Sequence, residues 1–318
     1  MRVVVIGIAN QQTSLPVDRF PVEYVAQRYL TGAIRHTVGG VAFNVARSLC
    51  ALGHVVALAS PLGEDYPAAM IDAEAYRYNL STHLCRRELA RTPRSVVLYD
   101  TTGRRQVNTD LTDATSFVFQ PEDLEPDLFR AKLVVLANLD MVRPLLEPLR
   151  QRGRRVAVDL HDIQGPNNPY DQEFLSATYV NMSNEMIPGD EIAVLQALRA
   201  KSRAKVLSMT LGADGALVFC RGMDAPVHVR APRVRAINTV AAGDTYWAVF
   251  LHHVVKEKRS PVDAAGLACE AASRMVATEP VYGSSGVDDL REILGVPKPV
   301  PSATAPAEIG WSSFSPEW

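Results

Sequence analysis

From about residue 132 onward, short β-branched runs alternate regularly with amphipathic stretches, and this rhythm limits the available folds more than any other feature of the chain. Strands are expected at 132–137, 155–159, 178–182, 205–209 and 216–220, with helices at 142–152 and 189–200 between them. Apolar runs this short are the mark of strands buried on both faces. Strand and helix in alternation build a mostly parallel sheet covered by helices on both sides, so the expected class is α/β. Two stretches rich in Ala and Val, 242–256 and 262–277, read as helices packed on that sheet. A chain of 318 residues with 47% hydrophobic content has enough apolar surface for a large core, which excludes disorder of the whole chain.

The first half is less regular. Residues 2–8 form a β-branched run ending in Gly7, the pattern of a central strand whose C-terminal end opens toward a site, and a second strand is expected at 55–59. Between them, Val41, Val45, Leu49 and Leu52 recur at helical spacing behind the pair Gly39-Gly40. From Gln11 to Val38 no helical period is sustained, and Pro16 and Pro21 interrupt short alternations. Residues 91–109 read as a hairpin around Asp100-Thr101-Thr102-Gly103, so the two segments together suggest a small accessory sheet. Beyond Pro297 the Pro, Ser and Ala content has no period and indicates a solvated, flexible tail carrying Trp311 and Trp318.

Charge and cysteine content narrow the partners. With 33 basic and 35 acidic residues and a net charge of −2, the chain has no field for nucleic acid or an anionic membrane, which leaves small-molecule chemistry. Cys50, Cys85, Cys220 and Cys269 are far apart, unlike a disulfide framework or the paired spacing of a zinc site. The opening apolar run is too short for a signal peptide or membrane span, so a cytoplasmic location is expected.

The segment with the clearest chemistry is Asn238-Thr239-Val240-Ala241-Ala242-Gly243-Asp244, a loop of small residues entering an apolar helix. Small residues let an anion approach the backbone, and amides at a helix start point outward with a favourable dipole. An aspartate beside such a cradle can take a proton from an attacking hydroxyl. The helix dipole alone also favours an aspartate there, so the heptad by itself leaves an ordinary structural role open.

This heptad resembles the Asp-Thr-x-Gly-Ala-Gly-Asp signature of the PfkB, or ribokinase-like, carbohydrate and nucleoside kinases. A second signature is present in Gly39-Gly40-Val41-Ala42-Phe43-Asn44-Val45-Ala46, which is similar to Gly-Gly-x-x-x-Asn-x-Ala, with a trailing Leu52-Gly53. Thr210-Leu211-Gly212-Ala213-Asp214-Gly215 resembles the family's nucleotide-side turn, and Gly63-Glu64-Asp65 its Gly-x-Asp. The resemblance implies a three-layer α/β/α sandwich over residues 1–296, with a small β-strand lid drawn from about 12–38 and 91–113, and the tail 297–318 outside it. It implies transfer of the γ-phosphoryl group from ATP, with Mg²⁺, to a primary hydroxyl of a sugar, nucleoside or related alcohol. Asp244 would be the base, and the amides of Ala241, Ala242 and Gly243 the anion hole. Asn10, Gln12, Gly39, Gly40 and Asn44 would meet the acceptor; Asn184, Thr210, Gly212 and Gly215 would meet the nucleotide. The lid also offers a surface for a homodimer. No Gly-x-x-x-x-Gly-Lys-Ser/Thr occurs, which excludes a P-loop mechanism.

Departures from the pattern matter equally. Asn238 stands where the family has an aspartate, which weakens a monovalent-cation site and argues against potassium dependence. Ala241 replaces a glycine and costs something if that position needs a positive φ. Gln12 replaces a diol-gripping acid and leaves the acceptor open between sugar and nucleoside. Asn184-Glu185-Met186-Ile187 resembles Asn-x-x-Glu with an isoleucine in the last place, leaving open whether Glu185 serves the metal. These departures motivate an alternative, a ligand-binding or regulatory protein that keeps the fold but not efficient turnover. A nicotinamide-dependent oxidoreductase has only the first strand in its favour, since no Gly-x-Gly-x-x-Gly follows. Among weaker candidates, His161 and Asp162 sit at a strand end yet read as a solvated pair, Arg104 and Arg105 as exposed turn charges, and His252-His253 as surface or packing residues. Asn108 is a further candidate for reaching the acceptor from the lid.

Overall fold

Strand β1 (Arg2–Ile6) shows why the sheet lies in the middle: Val3 and Val5 enter one apolar cluster while Val4 and Ile6 enter the other. Successive side chains of a strand point to opposite faces, so a continuous apolar run requires cover on both. The computed structural model describes residues 1–102, 104–237, 239–278 and 287–296. Gly103, Asn238, Trp311, Trp318 and the whole tail 297–318 lie outside the described residues, and so do the expectations attached to them.

After β1 come β2 (Asn10–Pro16), β3 (Arg35–Gly39), α1 (Val41–Ala51), β4 (Val55–Ala59) and β5 (Pro61–Leu62). Next are α2 (Tyr66–Arg77), β6 (Arg86–Arg87), β7 (Arg94–Tyr99), β8 (Arg105–Asp110) and the short α3 (Asp127–Arg130). The alternating part runs β9 (Leu133–Ala137), α4 (Arg143–Gln151), β10 (Val156–Asp162), β11 (Tyr179–Ser183), α5 (Glu191–Lys201), β12 (Val206–Thr210), β13 (Ala216–Cys220) and β14 (Val227–Val229). The described chain ends with α6 (Ala242–Leu251), α7 (Pro261–Ala277) and α8 (Val287–Ile293). The main sheet has the order β14-β13-β12-β11-β10-β9-β1-β4. Its pairings are parallel from β4 to β12 and antiparallel for β13 and β14. Helices α1, α2, α6, α7 and α8 cover one face, with Phe43, Ile71, Trp247 and Phe250 at its centre. Helices α3, α4 and α5 cover the other, around Leu128, Leu145, Leu149 and Leu195. The three layers expected from the alternation are present.

A second sheet, ordered β3-β2-β7-β8, forms the accessory layer: β2 is antiparallel to β3 and parallel to β7, and β7-β8 is the expected hairpin. Its turn is built by Asp100, whose Oδ1 accepts from Thr102 N, Thr102 Oγ1 and Arg104 N at 2.9, 2.6 and 3.1 Å. Both strands of its root are continuous with the main sheet's edge of the cleft. β2 follows directly on β1, and β3 runs through Gly39 into α1, with Asn10 paired to Gly39.

Helix α2 is not anticipated by the sequence reading, because its apolar residues make only a faint stripe. Its signals are at its start: Asp65 Oδ1 accepts from Ala68 N at 3.2 Å and Pro67 occupies the first turn. The same Asp65 holds the approach to β7, accepting from Thr92 N and Thr92 Oγ1 at 3.1 and 2.6 Å. Gly63-Glu64-Asp65 is thus a joint between the main body and the lid. The helix expected over 242–256 is α6 followed by a π-helical turn, His252–Lys256.

Candidate active site

Helix α6 opens the site. Ala241 precedes it in the left-handed region (φ 62, ψ 11), which turns the chain into the helix. Thr245 N then donates to Ala241 O at 2.9 Å, the first helical bond. The amides of a first turn have no intrahelical partner. That of Ala242 leans on Thr239 O at 3.4 Å, so of the three amides assigned to the anion hole this one is partly engaged. A Cβ added to Gly243 would meet nothing within 4 Å, so the cradle faces open space.

Asp244 lies in this first turn, and Asn44 of α1 donates through Nδ2 to its Oδ2 at 2.8 Å. That bond joins the two signature segments across 200 residues. Asp244 retains a partial opening to the cleft, but protein surrounds its carboxylate. Loss of water pushes its pKa up to about 6. The Asn44 bond and the charges of His161 and Arg47 pull the other way, while the charge of Asp159 pushes up. A carboxylate in this range is ionised near neutrality and a better proton acceptor than an ordinary one.

Two of these neighbours come from the end of β10. Asp159 is buried and its Oδ1 accepts from His161 N at 3.0 Å. His161 has φ 56, a left-handed conformation uncommon for a residue with a side chain, at the irregularity between Asp159 and Asp162. The sequence reading favours a solvated loop pair here. Both residues of that pair are exposed, as that reading expects, and the structure also sets His161 within electrostatic reach of Asp244, with Asp159, which the sequence reading passes over, beside it.

The half expected to meet the acceptor is a tight wall. Gly40 has φ 91, and a Cβ there would lie 2.3 Å from Ile8 O, so both conformation and space require glycine. A Cβ on Gly39 would meet Gln12 Oε1 at 2.9 Å and Asn10 Oδ1 at 3.1 Å, so those two oxygens converge above this glycine. Asn10 Oδ1 is buried without a partner, as is Thr37 Oγ1, which stands opposite Gln12 in the β2-β3 pair. Buried polar atoms are normally hydrogen-bonded, and an orphan at a cleft points to a missing ligand. Thr37 is absent from the sequence-based candidates; its register opposite Gln12 is the signal that finds it. Asn181 Oδ1 is a further buried orphan, on β11 opposite Asp159.

The half expected to meet the nucleotide is open. Thr210 ends β12, and Leu211 N donates to Gly215 O at 2.8 Å to close the turn. Gly212 (φ 57) has free space around it, whereas a Cβ on Gly215 would strike Val229 O at 2.1 Å. Close packing on β14 thus accounts for Gly215 without a ligand. Asn184 follows β11, and its Nδ2 donates at 2.8 Å to Oε1 of Glu191, which also accepts from Gly189 N at 3.1 Å. Glu185 is exposed and its amide meets Ser183 Oγ at 3.3 Å. The carboxylate that joins Asn184 is therefore Glu191, from the start of α5, rather than the adjacent Glu185. Among the described residues no cluster of three or more His, Cys, Asp or Glu could hold a metal ion alone.

The remaining candidates separate clearly. Arg104 is bound to Asp100 (Nη2–Oδ2 2.8 Å), and Asn108 is taken up by its own hairpin through Val96 O and Gln106 Nε2. Arg105 crosses from the lid to the cradle loop, donating from Nη1 to Thr239 Oγ1 at 2.6 Å. His252 packs on His54 (Nδ1 to Nε2, 2.9 Å) away from the cleft, as the packing reading expects. All four cysteines are free. No helix among the described residues is long and apolar enough to cross a membrane.

Comparison with known proteins agrees with this fold. The model of the pfkB family of carbohydrate kinases matches residues 1–165 and 171–285. A microbiome-derived acarbose kinase superposes with a TM-score of 0.81 at 23% identity, covering 92% of this chain and 98% of its own. Arabidopsis thaliana ribokinase, complexed with ribose and ATP, gives 0.71 at 20% identity over 92% and 98%. Adenosine kinase from Sinorhizobium meliloti gives 0.72 at 18% identity over 91% and 98%.

Proposed function

The chain belongs to the pfkB family of carbohydrate kinases, and from that premise we propose that it moves the γ-phosphoryl group of ATP to a primary hydroxyl of a sugar or related polyol. The observation that carries this reading is the bond from Asn44 to Asp244, which sets a base of raised pKa between the acceptor wall and the cradle. In the reaction we propose, the acceptor hydroxyl is read by Asn10, Gln12, Thr37 and Asn44. Its proton passes to the Asp244 carboxylate as its oxygen bonds to the γ-phosphorus and the bond from that phosphorus to the bridging oxygen breaks, releasing ADP. The amides at the start of α6 hold the equatorial phosphoryl oxygens. Phosphoryl transfer asks mainly for positioning and charge stabilisation, which a base, a cradle and a bound cation supply.

The residues present fit Mg·ATP. Mg²⁺ commonly uses one or two carboxylates with substrate phosphates and several waters, so a full protein cage is not needed. Glu191, fixed by Asn184 and Gly189 N, would hold its water shell, and when bound the ion neutralises phosphate charge. Thr210 and Gly212 would face the nucleotide. The acceptor oxygens are uncharged, which favours a neutral polyol over a charged sugar. We further place the protein in the cytoplasm as a homodimer through the lid, where Tyr24, Tyr29 and Val107 are exposed.

The test is ADP formation with Mg·ATP across monosaccharides, oligosaccharides including acarbose, and nucleosides. Turnover with at least one acceptor is expected. Nucleotide and acceptor binding without ADP release from any of them would favour the binding-protein alternative.

A further inference from the structure

Of the six neighbouring strands from β1 to β13 in the main sheet, all but β11 have a basic residue at the end remote from the cleft: Arg2, Lys132, Arg154, Lys205 and Arg221. The first four stand two residues before Val4, Val134, Val156 and Leu207, and Arg221 stands two residues after Phe219. Those five apolar residues belong to the cluster under α3, α4 and α5, and alternation along a strand puts the cations on that same side. Backbone bonds tie neighbours together, Lys132 N donating to Arg2 O at 3.0 Å and Arg221 N to Lys205 O at 2.9 Å. The net charge of −2 thus averages over a chain that draws cations into a row.

The row is poorly neutralised. Among the described residues none of the five enters an ion pair. Arg2, Lys132, Lys205 and Arg221 are exposed, while Arg154 is half-buried and its Nε has no partner. Arg199, in the last turn of α5, adds a cation beside Arg221. Its Nη2 donates to Ser202 O and Ala204 O at 2.7 Å each, its Nη1 is buried without a partner, and burial together with the charge of Arg221 lowers its pKa. Buried donors are normally paired, so two orphaned guanidinium groups on one edge point to a missing acceptor. The acids of adjoining segments are engaged elsewhere: Glu147 accepts from Arg150 and Gln151, and Asp127 pairs with His83, which leaves Asp224 of the β13-β14 turn as a single counter-charge. A helix C-terminus favours cations in its last turn, which accounts for Arg199 but not for the five strand residues.

We propose that this edge is a binding site for a linear polyphosphate chain, laid across the feet of the strands from β1 to β13 at the end of the sheet opposite the cleft. The assignment does not depend on the kinase reading. Strands lie about 4.8 Å apart, so five steps give a row roughly 24 Å long. Sheet twist of about 20–25° per strand turns that row through roughly 100° or more. A row that winds this far departs from a flat membrane, whereas a flexible chain can follow it. Single-stranded nucleic acid would bring bases that need aromatic platforms. The exposed tyrosines lie in the lid loop, on α2 and beside Arg143, and Phe129, three residues before Lys132, is covered by the Arg152 guanidinium at 3.7 Å. A chain of phosphates without bases asks only for cations in line, and the planar guanidinium fork of arginine matches phosphate oxygens two at a time.

Fluorescence anisotropy of end-labelled linear polyphosphate, titrated with the full chain in Mg²⁺-free buffer over a series of KCl concentrations, tests the site. The logarithm of the binding constant should fall linearly with the logarithm of salt, with a slope of about −3 to −4 for five contacts on a single-stranded polyanion. Lys132→Gln and Lys205→Gln change exposed side chains and should keep the wild-type thermal midpoint. Each should weaken binding several-fold and make the slope shallower by about 0.7, and the two together should compound. Arg91→Gln removes an exposed cation beside the lid, equal in net charge, and should bind as the wild type does. A chain held in the anion cradle would not feel Lys132 or Lys205, so unchanged binding by both variants would overturn the assignment. So would the absence of binding at low salt, or a loss in Arg91→Gln as large as that in Lys205→Gln. Tighter binding of a uridine homopolymer, or of phosphatidylserine vesicles, at the same ionic strength would overturn it in favour of those partners.

Discussion

On the proposed acceptor side of the cleft Asn10, Gln12 and Thr37 are 5%, 7% and 8% exposed, and two of their polar atoms have no partner. On the proposed nucleotide side Glu185, Gly212 and Asp214 are exposed, and the polar groups there are largely satisfied by the protein itself. The difference is one of desolvation. Leaving a buried oxygen unpaired costs about 1–3 kcal/mol, so the oxygens of Asn10 and Thr37 favour a ligand with hydroxyl or amine donors. The nucleotide side has no such debt. It can bind through backbone amides and the ligand's own charge, which tolerates sequence drift such as the isoleucine at 187. Selectivity should therefore reside in the acceptor half, and rate at the boundary where Asp244 stands.

The largest effect expected is at that boundary. Asp244→Asn should lower kcat by about 10²–10⁴-fold with nucleotide affinity little changed, because it removes the proposed base and leaves the amides in place. Single-turnover kinetics with a binding isotherm would check it, and near-normal turnover would remove Asp244 from the chemistry.

The pH profile sharpens the same point. The base acts when ionised and burial raises its pKa to about 6, so kcat/KM of the wild-type enzyme should fall as pH drops through about 6 rather than through the ordinary carboxylate range. The sign for stability is the reverse. A carboxyl whose pKa is raised in the folded state favours folding most when protonated, below its unfolded value, and that contribution fades as pH rises through about 6. Asp244→Asn should therefore raise the thermal midpoint at pH 8 more than at pH 5.

Thr37→Val tests the acceptor wall directly. Removing a buried hydroxyl that has no partner should leave the ligand-free thermal midpoint unchanged or higher, while KM for the acceptor rises about tenfold through loss of one hydrogen bond. Lower stability with unchanged KM would mean that the wall is structural, and the contrast between the halves would fail. On the other side, Glu191→Gln should raise the Mg²⁺ requirement several-fold, roughly the loss of one charge-assisted contact, without altering acceptor KM. A shift in acceptor KM instead would break the division.

The smallest effect concerns the turn into α6. An alanine in the left-handed region costs about 1–2 kcal/mol, part of which a glycine forfeits through the greater freedom of its unfolded chain. Ala241→Gly should accordingly stabilise by a few tenths to about 1 kcal/mol in urea unfolding, with no new dependence on potassium.

What the sequence makes legible follows how local each signal is. The doubly buried β1, the alternation beyond residue 132 and the small-residue run into α6 are written in contiguous residues, and strand β4 falls on the expected 55–59. Helix α2 escapes because its N-cap and proline carry more information than its apolar pattern. The helix ending at 256 hides a π-helical turn beside the contact of His252 with His54, 198 positions away. The partner of Asn184 is missed for a similar reason. The chain folds back through Gly189 before α5 starts, so the carboxylate arrives from seven residues on instead of three. The places of Thr37 and Arg105 need register and topology, since one is set by strand pairing and the other by a hydrogen bond across 134 positions.

The roots of the lid carry a consequence for timing. Asn10 and Gln12 lie on one lid strand, Thr37 and Gly39 on its neighbour, and the two strands emerge side by side from β1 and into α1. The residues proposed to grip the acceptor are thus part of the root that would have to flex for it to leave. Any opening wide enough to free the product strains the same ladder that recognises it. Grip and release are then one mechanical coordinate, so acceptors that bind more tightly should also depart more slowly. A substitution that stiffens this root should prolong the stay of every acceptor together, whatever its chemistry.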